Sequence, residues 1–176
     1  MKTTTKLAAA ALLAGALFIG NNVKAQTTPN NPWRLGIGLE AGAPTGSAHN
    51  FSNFELGGTA RLQYDVSNSF AWTLTSGYYN MFGKDRPTPL TGKYSDVGIV
   101  PLKAGIKAFF ASNLYFGAEV GAGFETMYNS DVKMIASPGL GYASKSWDVG
   151  IRYENFSGQS NNYGLVGLRI AYGFGL

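Results

Sequence analysis

Along most of the chain, apolar and polar residues alternate one for one. The clearest stretch is Tyr163 to Leu176 (YGLVGLRIAYGFGL), where Val166, Leu168, Ile170, Tyr172, Phe174 and Leu176 interleave with Gly167, Arg169, Ala171, Gly173 and Gly175. A period of two over this length predicts a long strand with one apolar face and one small or polar face. The same period recurs at Trp33 to Ala43, Phe54 to Val66, Phe70 to Met81, Val97 to Phe110, from Leu114, Met134 to Ala143 and Trp147 to Asn155, which makes eight strands. Within the sixth, Pro138 removes a ladder donor, and with Gly139 beside it predicts a bulge.

The connections alternate in kind. Tight turns at Ser67-Asn68-Ser69, Ala111-Ser112-Asn113 and Ser144-Lys145-Ser146 follow the even strands. Longer polar loops at Thr45–Asn53, Gly83–Ser95, Thr126–Val132 and Phe156–Asn162 follow the odd ones. An even strand count with short connections at one end and long ones at the other is the layout of a barrel in an outer membrane. The fold class expected is therefore all-β, an eight-stranded antiparallel up-and-down transmembrane β-barrel. Trp33, Trp72 and Trp147 open odd strands, and Tyr64, Phe110, Tyr172 and Phe174 close even ones, so all seven belong to one rim. Amphipathic rings favour the headgroup level, and this set reads as an aromatic girdle.

Composition decides which face meets which solvent. Charged residues make up 14% of the chain, against roughly 25% in ordinary soluble domains. A water-soluble, lipocalin-like barrel has the same period and strand number, but its polar face is solvated and dense in Lys and Glu. Here that face is mostly Gly, Ala, Ser and Thr with a few balanced charges, which suits a confined lumen and leaves the apolar face to lipid.

The formal net charge of +4 points towards nucleic acid only until the N-terminus is set aside. Lys2 and Lys6 precede an apolar run from Leu7 to Gly20, and Val23-Lys24-Ala25 precede Gln26. This is the layout of a secretory signal peptide cleaved between Ala25 and Gln26. The run is too short and too rich in Ala and Gly for an anchoring helix, which needs about 20 apolar residues. Removing Lys2, Lys6 and Lys24 leaves 11 of the 14 basic residues against 10 acidic ones. No nucleic-acid partner is expected. The expected domains are a signal peptide at 1–25, a disordered periplasmic leader at 26–32 and the barrel at 33–176. The absence of Cys excludes disulfides, thiolate metal sites and a lipoprotein anchor.

Three stretches carry a family resemblance: SPGLGY (Ser137–Tyr142), WDVGIRYENF (Trp147–Phe156) and the last strand. They resemble the outer-membrane β-barrel domain common in the Bacteroidetes phylum, itself similar to the small OmpA- and OmpX-type barrels. Arg169, Ala171, Phe174 and Leu176 resemble the C-terminal signal by which such barrels are recognised for assembly, with Ala171 in place of the usual Gly and Leu176 in place of Phe. The resemblance implies a monomer in the bacterial outer membrane. Its partners would be outer-membrane lipid and lipopolysaccharide, with the barrel-assembly machinery and periplasmic chaperones during biogenesis.

Candidate chemistry lies on the inward face. Glu40, Arg61, Lys103, Glu119, Arg152, Glu154 and Arg169 are expected to form a lumen ion-pair network, because an eight-stranded barrel is filled by its own side chains. An unpaired charge there would cost several kcal/mol. Arg61, Arg152 and Arg169 are the expected partners of Glu40 and Glu119. This implies a charge-plugged barrel with a structural or surface-interaction role; a small-conductance, porin-like channel is the alternative. A third reading is a lipid A-modifying enzyme built on His49 and Ser47 in the first loop, with Asp85 or Glu55 as the carboxylate. No Ser sits in a nucleophile motif, so the protein is not expected to be an enzyme. No metal-ligand spacing, phosphate loop or nucleotide fingerprint is present, and no cofactor is expected.

Overall fold

The computed structural model describes residues 32–86, 92–127, 131–158 and 162–176. The signal peptide, its cleavage site and the leader up to residue 31 lie outside them. The strands are β1 (Trp33–Gly46), β2 (Ser52–Ser67), β3 (Phe70–Gly83), β4 (Val97–Phe109), β5 (Leu114–Glu125), β6 (Val132–Ala143), β7 (Trp147–Ser157) and β8 (Tyr163–Gly175). Each pairs antiparallel with its sequence neighbours, and β8 returns to β1, closing an up-and-down barrel of eight strands. Closure leaves no unpaired edge.

The strands at the long-loop end run past their expected limits. β1 continues through Pro44 to Gly46, and β2 begins at Ser52, so the first loop shrinks to a short 3-10 turn at Ser47–Asn50. Gly46 makes this possible with φ of 66°, a left-handed backbone that favours glycine. The β3–β4 loop is tied back by Asp96, whose carboxylate accepts hydrogen bonds from the Gly83 N–H at 2.9 Å and from Asn80 at 3.3 Å.

One local expectation fails. β6 has no bulge at Pro138: its register with β5 is unbroken, and its register with β7 is the same on both sides of Ser137-Pro138. Only the ladder with β7 lapses at those two residues. Proline withholds a hydrogen bond without adding a residue, so the strand skips a rung without shifting register. The register shifts lie elsewhere, at both ends of β2, between Ser52 and Phe54 and between Asp65 and Ser67.

The faces separate by solvent. Ile37, Leu39, Val120 and Met134 are 58%, 70%, 62% and 65% exposed on the outside, while Lys103 and Glu154 are 0% exposed inside. The rim at the short-turn end is aromatic. Trp33 packs on Tyr64 at 4.8 Å, Phe110 on Phe116 at 4.6 Å, Trp147 on Tyr172 at 5.3 Å, and Tyr172 on Phe174 at 4.9 Å. Trp72 meets Phe70 edge-on at 5.4 Å. A second group of exposed aromatics, Phe54, Phe82 and Phe124, rings the long-loop end. Along β2, Phe54 and Tyr64 mark the two rims. Ten residues at roughly 3.3 Å each, tilted by about 40°, set the rims about 25 Å apart, the height of the apolar band in such barrels.

Candidate functional site

The lumen is built by the inward half of each strand's alternation and is filled in three layers. At the long-loop end, Tyr79, Met81, Ile99, Ile135, Phe156, Tyr163 and Leu165 form an apolar cluster. The 3-10 turn adds Ala48 as a lid, and Phe51 and Val97 pack against the cluster. Phe156 and Tyr163 stack with ring centroids 4.8 Å apart. This layer was not anticipated from the sequence. Its signal is present, since Met81, Ile99, Ile135, Phe156 and Leu165 hold inward positions where the alternation predicts small or polar residues.

Beneath it lies a ring of charges that alternate in sign. Arg61 meets Glu119 at 3.2 Å, Glu119 meets Lys103 at 3.5 Å, and Lys103 pairs with Glu154. Glu154 meets Arg152 at 2.9 Å, Arg152 pairs with Glu40, and Glu40 meets Arg169 at 3.4 Å. Asp148 closes the circuit, 3.7 Å from Arg61 and 3.8 Å from Arg169, and also pairs with Lys107. All seven residues expected in the network are in it; Asp148 and Lys107 are additions. Arg152 meets Glu40 and Glu154, while Glu119 on β5 faces Arg61 and Lys103.

Hydroxyl groups supply further donors and acceptors. Thr75 donates to Glu119 at 2.6 Å and accepts from Arg61 Nε at 2.9 Å. Thr59 donates to Glu40 at 2.5 Å and accepts from Arg169 Nε at 3.0 Å. Ser137 donates to Glu154 at 3.2 Å. Tyr79 joins two layers: its ring belongs to the apolar cluster, and its hydroxyl accepts from Lys103 and from Arg152, each at 3.0 Å. A carboxylate accepting several such bonds is stabilised in a space that water reaches poorly. Glu55 stands apart between the layers, 1% exposed, with its Oε1 lacking a hydrogen-bond partner among the described residues.

At the short-turn end Tyr115 lies across the lumen with Phe109 and Ala143, and its hydroxyl donates to Asp148 at 2.6 Å. Two cavities of about 30 Å³ each open here, one beside Glu119 and Arg152 and one beside Arg34 and Trp147.

The residues considered for hydrolysis are not assembled. Ser47 Oγ donates to the Asn162 carbonyl at 2.8 Å, Glu55 is buried in the lumen, and Asp85 is exposed in an isolated bridge with Lys93. His49 is exposed and engaged through its carbonyl, which accepts from Lys84. Among the described residues no group of His, Cys, Asp and Glu could hold a metal ion.

No protein-family model and no curated protein matches the chain. Solved structures do. The attachment invasion locus protein Ail of Yersinia pestis superposes with a TM-score of 0.56 at 14% identity, over 82% of this chain and 99% of that one. The N-terminal β-barrel domain of Pseudomonas aeruginosa OprF gives 0.52 at 15% identity, over 79% and 97%. Neisserial surface protein A gives 0.52 at 12% identity, over 82% and 97%. Identities this low speak for the fold alone, and that fold is the small, closed, eight-stranded outer-membrane barrel.

Proposed function

We propose that the chain is an integral outer-membrane barrel whose lumen is closed by its own side chains and whose role is structural or lies in surface interaction. The observation that carries this is the inverted polarity: large apolar residues on the outside are 38–70% exposed, while charged residues inside are buried. In water the outside would be an aggregation surface; in lipid it is the solvated face. The buried ring and the apolar layer above it together favour a plug over a channel. Small cavities of about 30 Å³ interrupt the filling at the short-turn end.

On this reading the long loops are extracellular and the short turns periplasmic. The signal peptide is removed after Ala25, and Arg169, Ala171, Phe174 and Leu176 present the chain to the barrel-assembly machinery after periplasmic chaperones deliver it. The mature protein is a monomer surrounded by outer-membrane lipid and lipopolysaccharide, without a catalytic role. Kinship with the Bacteroidetes-type and OmpA/OmpX-like barrels is part of the same proposal and rests on the strand patterns around Ser137, Trp147 and Arg169.

The test is fractionation of expressing cells with N-terminal sequencing and proteolysis. The protein should partition with the outer membrane, begin at Gln26, and migrate faster on gels unboiled than boiled. Trypsin on intact cells should reach Lys84, Arg86 or Lys93, and a Cys placed at Asn68 should resist labelling. A soluble, detergent-free monomer retaining residues 1–25 would overturn the reading, and the reverse labelling pattern would overturn the orientation.

A further inference from the structure

The ring is neutral in itself: Arg61, Lys103, Arg152 and Arg169 against Glu40, Glu119, Asp148 and Glu154. Lys107 is a fifth buried cation, and the one further buried carboxyl among the described lumen residues, Glu55, lies on the long-loop side of the ring, away from Lys107. Lys107 pairs with Asp148, which Arg61 and Arg169 also approach, those two having Glu119 and Glu40 as their nearer carboxylates. Lys107 is 2% exposed, and its ammonium nitrogen lies 4.4 Å from the centroid of the Tyr115 ring. An aromatic face attracts a cation but does not neutralise it. Burying the surplus charge is unfavourable unless something compensates it.

The space for compensation is present. Both cavities, of about 30 Å³ each, are lined by Arg61, Lys107 and Arg169, and the one at the short-turn mouth adds Arg34 and Asp148. Four cations and one carboxylate therefore line that mouth, Arg34 also donating to the Ser144 and Lys145 carbonyls. The oxygens of Asp148 are already engaged, Oδ1 by the Tyr115 hydroxyl and Oδ2 by Lys107. The Nη1 groups of Arg61 and Arg169 stop 3.7 Å and 3.8 Å from Asp148, beyond hydrogen-bond reach, which leaves their N–H donors for another acceptor. The Lys107 ammonium has three donors and gives one to Asp148.

We propose that the vestibule at the short-turn mouth binds a small inorganic anion of halide size, held by Lys107, Arg61 and Arg169 with Arg34 at its rim. A cavity of about 30 Å³ has room for a small ion, since on the order of 10–15 Å³ already holds a water. The apolar layer above the ring makes the vestibule a blind pocket. The anion enters and leaves from the short-turn end and completes the charge balance of the plug.

The experiment is urea unfolding of the full chain in detergent micelles, with sodium chloride replaced stepwise by sodium gluconate at constant ionic strength. Gluconate is larger and lower in charge density than chloride, so screening is held constant while the small anion is withdrawn. A ligand that binds only the folded state raises the folding constant by the factor 1 + [L]/Kd, so chloride at ten times its Kd should raise it about tenfold over gluconate. Lys107→Met should remove this chloride dependence while still folding, because the ring above it stays neutral. Arg34→Gln should move the chloride response to higher concentration, by about tenfold for a lost charge-assisted contact. Equal stability of the wild type in the two salts would overturn the proposal, as would an undiminished chloride response in Lys107→Met. If Lys107→Met does not fold, an Arg34→Gln response identical to that of the wild type overturns it instead.

Discussion

Arg152 holds the place in the charge ring where a single atom change does most. It is nine-tenths buried, pairs with Glu40 and with Glu154, and gives a further hydrogen bond to the Tyr79 hydroxyl. Arg152→Ala would leave two carboxylates in a space that cannot solvate them, and should cost roughly 3–5 kcal/mol, the range for breaking a buried pair. Double-mutant cycles then map the ring. Coupling of Arg152 to Glu40 and to Glu154 should be large, and coupling to Glu119, which Arg152 does not touch, should be small. Urea titrations of the single and double variants measure it, and a stronger coupling to Glu119 would contradict the geometry. The charged members of this ring are legible in the sequence because each interrupts a run of small residues at an inward position. Their partner choices are not, since strand tilt decides which neighbours face each other across the lumen. Nor are the roles of Thr59, Thr75 and Ser137 legible, because a hydroxyl on an inward face is equally at home as a neutral filler.

At the scale of the strand, the inward glycines are where small size matters. Gly141 on β6 stands opposite Tyr115 on β5, and a Cβ at position 141 would collide with the Tyr115 ring. The ring cannot yield freely, because its hydroxyl is tied to Asp148 at 2.6 Å and its face receives Lys107. Gly141→Ala should therefore destabilise the barrel by about 1–3 kcal/mol, the usual cost of overpacking. Most of that loss should disappear in a Tyr115→Ala background, where the collision is gone. Heat-modifiability on gels, followed against temperature, reads both effects, and an additive pair would mean the ring moves aside at no cost. Strand identity and facing were fully readable here, because a period of two fixes both once the ends are marked by turn residues. The ends themselves were less so. β1 and β2 run on through Pro44 and Ser52 where the polar composition of the loop predicts a stop, and Pro138 sits in a strand whose register is unbroken. In each case pairing with two neighbours outweighs local propensity.

For the molecule as a whole, the three layers of the lumen bear on permeability together. A barrel read only from its charged residues should open when one ion pair is removed. The structure leads to a different expectation, because the apolar layer of Tyr79, Met81, Ile99, Ile135, Phe156 and Leu165 lies in series with the ring. This layer escaped the alternation because a period of two fixes facing, while the chemistry of the inward side changes with height. Ions must cross both barriers, so removing the lower one leaves the upper one to limit current, and an apolar constriction resists wetting. In planar lipid bilayers the wild type and Arg152→Ala should both show little or no conductance. Phe156→Ala alone should also stay closed to ions, since the charge ring beneath remains paired, although lost packing should cost about 3–5 kcal/mol. The double variant Arg152→Ala/Phe156→Ala should conduct, and its current should exceed the sum of the single variants. An open wild-type channel would mean that the lumen is wet and its charges solvated. Opening by Arg152→Ala alone would mean that the apolar layer is no barrier, and the ring would then be the whole of the plug.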